Sequence, residues 1–243
     1  MTEAEWMACE DPEPMLKYLF GPETLSYCIT DPPERIESEY HKKRTSNRKL
    51  RLFAVACCFR IWQLISDERC RRAVVVGEQY ADDEAEAWEF EYTREEIEFV
   101  RHREEIEFVR HREVTYHNAA LQAACWVVEL DSTNAALNAS TLAEAAARSQ
   151  WSDVTELATQ ANLLREIFGN PFRPVAFDAA WRTSTAVALA AQMYESREFS
   201  AMPILADALQ DAGCDNPDIL NHCRGEGPHV RGCWVMDRAL GKE

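Results

Sequence analysis

A stretch of twenty residues near the end of the chain is dense in metal-ligating side chains: Cys214, Asp215, Asp218, His222, Cys223, His229 and Cys233. Three thiols and two imidazoles this close together suit a tetrahedral zinc, which takes cysteine sulfur and histidine nitrogen. The spacing departs from the paired pattern of zinc-binding loops, because neither CxxC nor HxxxH occurs there. Seven residues separate Cys214 from His222, five separate Cys223 from His229, and three separate His229 from Cys233. On a helix, His222 and Cys223 point about 100° apart, so only one of them faces a given metal. The candidate metal set is therefore Cys214, His222, His229 and Cys233. The alternative is a packed terminal hairpin with buried thiols, His222 capping or exposed, and His229 bonded to backbone.

Other constellations carry weaker chemistry. The loop Gly225 to Gly232 precedes a helix, so its amides, with Arg224, His229 and Arg231, form a candidate anion site. It lacks the lysine and hydroxyl of a P-loop, and such a loop is more often a glycine turn locking two helices. Cys57-Cys58 lies in an apolar helical stretch and reads as core rather than nucleophile. His102 with Glu98, and His111 with Glu107, are four apart on a helix and suit a weak cation contact or a surface link; His117 follows them. No GxSxG, HExxH, calcium-loop or GxGxxG pattern occurs. An enzyme is thus unsupported by any catalytic motif. The alternative function these residues leave open is a metal- or anion-binding enzyme using the C-terminal His/Cys/Arg cluster, and no cofactor is implied beyond a structural zinc.

The elements that must position these residues read as helices throughout. Thr2 and Glu5 form a capping box for a short first helix, and Pro14 to Phe20 reads as a second. Residues 22–47 read as an irregular connector that ends in a basic run, Lys42, Lys43, Arg44, Arg48, Lys49 and Arg51. This run is a candidate nucleic-acid contact. Ser46 caps the next helix, where Leu50, Phe53, Cys57, Ile61 and Leu64 mark one face and further apolar residues surround it, as in the middle of a bundle. Ser66-Asp67 opens another helix to about Tyr80. The Ala-rich stretches 133–149 and 152–168 read as a helical pair, the second opened by Ser152 or Asp153 and closed by Gly169-Asn170-Pro171. Helices over 183–196, 203–212, 216–223 and 233–240 complete the chain.

The segment Asp82 to Glu113 is of another kind. It holds thirteen acidic residues against five arginines, half of the chain's net charge of −16. Within it the nonapeptide REEIEFVRH is repeated in tandem, from Arg94 to His102 and from Arg103 to His111. Thr93 and Glu96 read as a capping box in front of one helix that continues to Leu130. Nine residues rotate a helix by two and a half turns, so equivalent residues point to opposite sides. Ile97, Val100 and Phe108 fall on one face, and Phe99, Ile106 and Val109 on the other. Such a helix is either sandwiched between two layers, or uses one face for a partner, or is an exposed arm whose second face is an accident of duplication.

Composition narrows the class. The 243 residues hold 26 Lys+Arg against 42 Asp+Glu, which argues against phosphate-backbone binding as the main activity. Apolar residues at 47% exclude disorder throughout. The acidic start Met1-Thr2-Glu3-Ala4-Glu5-Trp6 lacks the features of a secretory signal, and no uncharged apolar run is long enough to span a bilayer. Nine cysteines at irregular spacing then suggest reduced thiols in a cytoplasmic setting.

Both ends of the chain carry recognisable segments. Met1 to Leu16 (MTEAEWMACEDPEPML) and Arg48 to Trp62 (RKLRLFAVACCFRIW), with Asn170 to Pro174 (NPFRP), Met202 to Leu209 (MPILADAL) and Cys214 to Glu243, resemble an uncharacterised multi-copy helical family of planctomycete-type bacteria. The resemblance implies a helical fold and no particular activity. The 21–45 connector and the nonapeptide repeat depart from it.

The reading is an all-α, multi-helix bundle of roughly eight to ten helices with one long charged helix. An N-terminal half, 1–130, would carry the charged arm (about 82–113), 131–243 would form the C-terminal half, and the two would make one compact unit. The expected function is non-catalytic: a helical protein-interaction or scaffold module that binds a protein partner or itself through the charged helix.

Overall fold

A computed structural model describes residues 1–21, 46–111, 116–150 and 155–242, with side chains except those of 103–117 and 149–150. The protein is all-α: twelve α-helices and two short 3₁₀ turns occur among the described residues, and no strand. The helices are α1 (Glu3–Ala8), α2 (Pro12–Phe20), α3 (Asn47–Arg60), α4 (Glu68–Ala81), α5 (Ala87–His111), α6 (Tyr116–Val127), α7 (Ser132–Gln150), α8 (Glu156–Phe168), α9 (Ser184–Ser196), α10 (Met202–Asp211), α11 (Pro217–Arg224) and α12 (Trp234–Leu240). Two compact units result: Met1 with Cys9–Ala161, and Thr2–Ala8 with Asn162–Glu243. The boundary thus falls inside α8, beyond the 130/131 division expected, because α7 packs on α3 and α6.

The first unit is built around α3. Ser46 caps it, its hydroxyl accepting from the Lys49 amide at 3.2 Å. Leu50 through Cys58 are buried without interruption, as the all-round apolar pattern requires of a central helix. α4, α6 and α7 pack against it. Small residues set the α6–α7 contact: Ala119, Ala120, Ala123 and Ala124 on one side, and Ala135, Ala136, Ala139 and Ala143 on the other, are all buried. Their short side chains allow the two backbones to approach closely. Gly77 of α4 does the same against α6, since a Cβ there would overlap the Val127 side chain.

The charged helix differs from expectation at both ends. It starts at Ala87, so Thr93 lies in its interior rather than at a cap. Nor does it run on to Leu130. Arg101 reaches the Glu129 carboxylate at 3.4 Å and lies 4.8 Å from the Trp126 ring centre. Twenty-eight residues of unbroken helix would separate Arg101 from Glu129 by about 42 Å, so α6 folds back beside α5. Phe90, Thr93, Ile97 and Val100 form the buried face of α5. Arg94 pairs with Glu91 at 2.7 Å.

The second unit gathers α1, the end of α8, and α9 to α12. The Thr2–Glu5 capping box is present, with reciprocal bonds of 2.7 and 3.2 Å. Trp6 is fully buried; its indole donates to the Gly169 carbonyl at 3.2 Å, and Arg165 donates to the Trp6 carbonyl at 2.8 Å. These bonds tie α1 to the end of α8. Asn216 caps α11 by accepting from the Asp218 amide at 2.9 Å, with Pro217 at the first helical position. The core of this unit runs from Ala186 and Met193 through Leu205 and Leu209 to Ile219, Val235 and Met236. Among the described residues, no helix is long and apolar enough to cross a membrane.

Candidate metal centre

Four potential ligands converge in the second unit: Glu166, His222, His229 and Cys233 lie with one ligand atom each within 4.8 Å of one another. Each is delivered by a different piece of backbone. Glu166 stands in the last turn of α8, His222 near the end of α11, His229 in the loop after it, and Cys233 immediately before α12. The loop reaches His229 through Gly227, whose φ of 93° and whose Cβ direction, 2.7 Å from the His229 amide nitrogen, exclude a larger residue.

The geometry is tight. Glu166 Oε1 is 3.0 Å from His229 Nδ1, and Glu166 Oε2 is 3.3 Å from His222 Nε2. His222 Nε2 is 3.1 Å from Cys233 Sγ. His229 Nε2 faces the Gly225 carbonyl at 3.3 Å, and the Trp234 indole N–H donates to His222 Nδ1 at 3.1 Å. The Glu166 side chain is only 4% exposed and Cys233 is fully buried.

Burial works to raise the Glu166 pKa, but hydrogen bonds from both imidazoles outweigh it and hold the carboxyl down to about 2. Burial lowers the His229 pKa, whereas the Glu166 bond and charge, with the Gly225 carbonyl, raise it above its usual value on balance. The two nitrogens of His229 face acceptors only, so this ring is an imidazolium paired with Glu166. Burial, and then the nearby Glu166 charge, push the Cys233 thiol well up. Without a metal, the Glu166 carboxylate is therefore held ionised against the His229 ring.

The set overlaps the sequence expectation in His222, His229 and Cys233 and differs at the fourth member. Cys214 is buried in the hydrophobic core of the unit and does not join the four. Glu166 takes that place, and sequence reasoning missed it. A signal existed: an acidic side chain in the last turn of a helix opposes the helix dipole and calls for a cationic partner. Cys223, next to His222 on α11, is pushed up to about 12 by burial and by Glu166.

The expected anion cradle is not assembled. Arg224 donates to Asp207 at 2.9 Å and to Gln210 at 2.7 Å. Arg231 donates to the Tyr194 carbonyl at 2.7 Å and lies over its ring. His229 is bound to Glu166, so the three cations serve three separate contacts. In the first unit, Cys57 and Cys58 are core residues with raised thiol pKa values, from burial above all. Of the basic run, Lys42, Lys43 and Arg44 lie outside the described residues. Arg48 binds Asp82 at 2.8 Å. Arg51 is buried, with its guanidinium donating to the Val127 and Leu130 carbonyls at the end of α6. It therefore closes a helix rather than facing a ligand.

On α5, Ile97 and Val100 are buried while Phe99 is 70% exposed, so these three do lie on opposite sides. The side chains of Ile106, Phe108 and Val109 fall outside the described residues, as do those of His111 and His117. His102 is exposed, and its intended partner Glu98 lies 3.9 Å from Arg101 instead. Two exposed aromatics accompany Phe99 and were missed in the sequence: Trp88 at 69% and Tyr92 at 49%. Their spacing of four and seven residues puts all three on one helical face, which is a legible signal.

Comparisons with known protein families, with curated proteins and with solved structures find no match. The functional reading therefore stands on the residues and their geometry.

Proposed function

We propose that the second unit binds one divalent transition metal, zinc by its ligand chemistry, through Glu166, His222, His229 and Cys233. The convergence of four ligand atoms within 4.8 Å carries this reading. Zinc bonds of about 2.0–2.3 Å place tetrahedral ligands some 3.3–3.8 Å apart, so side-chain shifts of under about 1 Å would suffice. A thiolate and two imidazoles favour zinc over magnesium or calcium. Charge balance supports it too. Zinc would displace the protons of His229 Nδ1 and the Cys233 thiol, and its two charges would be met by Glu166 and the Cys233 thiolate. With the ion bound, the pocket is then neutral. Four protein ligands leave no open coordination position, which favours a structural role over a catalytic one. A reducing, cytoplasmic setting keeps the thiol available, and the planctomycete-type resemblance belongs to this reading as a resemblance only.

Metal analysis of the purified protein tests it. One zinc per chain is expected, retained in Cys214→Ser and lost in His229→Ala and Cys233→Ser. A wild-type protein that neither retains zinc nor gives a cobalt(II) absorption spectrum on titration would overturn the proposal.

A second reading concerns α5. Trp88, Tyr92 and Phe99 form an exposed aromatic face on a strongly acidic helix, which suits a partner helix with an apolar seam and basic flanks. This keeps the scaffold function expected from the sequence. A basic amphipathic peptide is expected to blue-shift tryptophan fluorescence in wild type and not in the Trp88→Ala/Phe99→Glu variant. Equal binding by both proteins sinks this reading, and concentration-dependent dimers abolished by the same variant would assign the face to self-association.

A further inference from the structure

The two imidazoles of the centre are prepared differently. His229 presents Nε2 to the Gly225 carbonyl at 3.3 Å, which keeps a proton there and turns Nδ1 toward the other ligands. That is the arrangement of a metal-binding histidine, whose second nitrogen donates to a fixed acceptor. At His222 the outer partner is a donor. The Trp234 indole N–H points at Nδ1 from 3.1 Å. An indole nitrogen can only donate, so Nδ1 must offer its lone pair and the ring proton sits on Nε2. Nε2 is the atom that faces Glu166 at 3.3 Å and Cys233 at 3.1 Å. One ring is thus set for a metal and the other is set against it.

We infer that Trp234 is a positioning residue that controls metal entry by holding His222 in the tautomer with its proton inside the ligand set. The inference rests on the metal reading above. A ring bound through Nε2 carries its proton on Nδ1, and that proton would meet the indole N–H head on. Metal loading therefore moves the His222 proton from Nε2 to Nδ1 and breaks the indole bond. The ring and indole centres are 5.1 Å apart and inclined at 58°. Trp234 acts through His222 and touches no metal itself.

Trp234→Phe keeps the aromatic bulk and removes the donor. Zinc and cobalt(II) are expected to bind the variant on the order of ten-fold more tightly than wild type, about the worth of one hydrogen bond lost only from the metal-free state. Histidine-ring nitrogen NMR of wild type, with His222 assigned through His222→Gln, is expected to show the proton on Nε2 without zinc and on Nδ1 with it. Equal or weaker binding by a folded Trp234→Phe overturns the inference and leaves the metal centre standing. Should that variant not fold, the wild-type spectra decide alone: zinc bound with the His222 proton unmoved overturns the inference. Absence of zinc and cobalt binding by wild type removes the metal centre, and this inference with it.

Discussion

Thr93 buries a hydroxyl that finds no hydrogen-bond partner among the described residues, in the interior of α5 and at 1% exposure. An unanswered buried hydroxyl costs more than its removal. Thr93→Val, which keeps the shape, is expected to stabilise the protein by on the order of 1 kcal/mol, read as a higher urea midpoint at unchanged slope. Arg51 is the opposite case: a buried cation that is fully engaged. Burial lowers its pKa to about 10, yet its guanidinium stays bound to the carbonyls of Val127, the last residue of α6, and of Leu130 just beyond it, and lies 4.8 Å from the Phe90 ring centre. Glu166 belongs with Arg51, since each is a buried charge whose partners come from distant parts of the chain. For Glu166 those partners are 56 and 63 residues away.

Helices in this protein are specified locally and bounded by tertiary contacts. Ser46, Asp67, Thr183 and Asn216 cap where their side chains imply. The charged helix is the exception. Its local signals mark a start at Thr93 and an end near Leu130. Instead, burial of Phe90 extends it backward, and the pairing of Arg101 with Glu129 and Trp126 folds the following helix alongside it. The close approach of α4 to α6 rests on Gly77. Gly77→Val is expected to cost about 1–3 kcal/mol by overpacking against Val127, and thermal unfolding would show it. An unchanged melting temperature would mean that α6 yields at that point.

At the scale of the molecule, the net charge of −16 is unevenly spread, with half of it between Asp82 and Glu113. The proposed metal centre belongs wholly to the second unit. Chelation is therefore expected to speed amide exchange in Thr2–Ala8 and from Asn162 onward, and to leave the Cys9–Ala161 amides unchanged. A ligand at a thousand times its Kd contributes about 4 kcal/mol to its host, ample for the effect to register. Uniform acceleration along the chain would show instead that the two units unfold together.

By itself the sequence determined that the protein is helical, where most helices begin, and that α3 is central. Helical periodicity, capping and all-round apolarity are short-range properties, readable within a few turns. It also placed His222, His229 and Cys233 in one neighbourhood, because they lie within twelve residues of each other. Only the tertiary structure decided that Glu166 completes the cluster, that Cys214 belongs to the core, and that Arg224 and Arg231 are spent on other partners. Which side chain meets another across fifty or more residues depends on helix packing. Spacing along the chain holds no record of that.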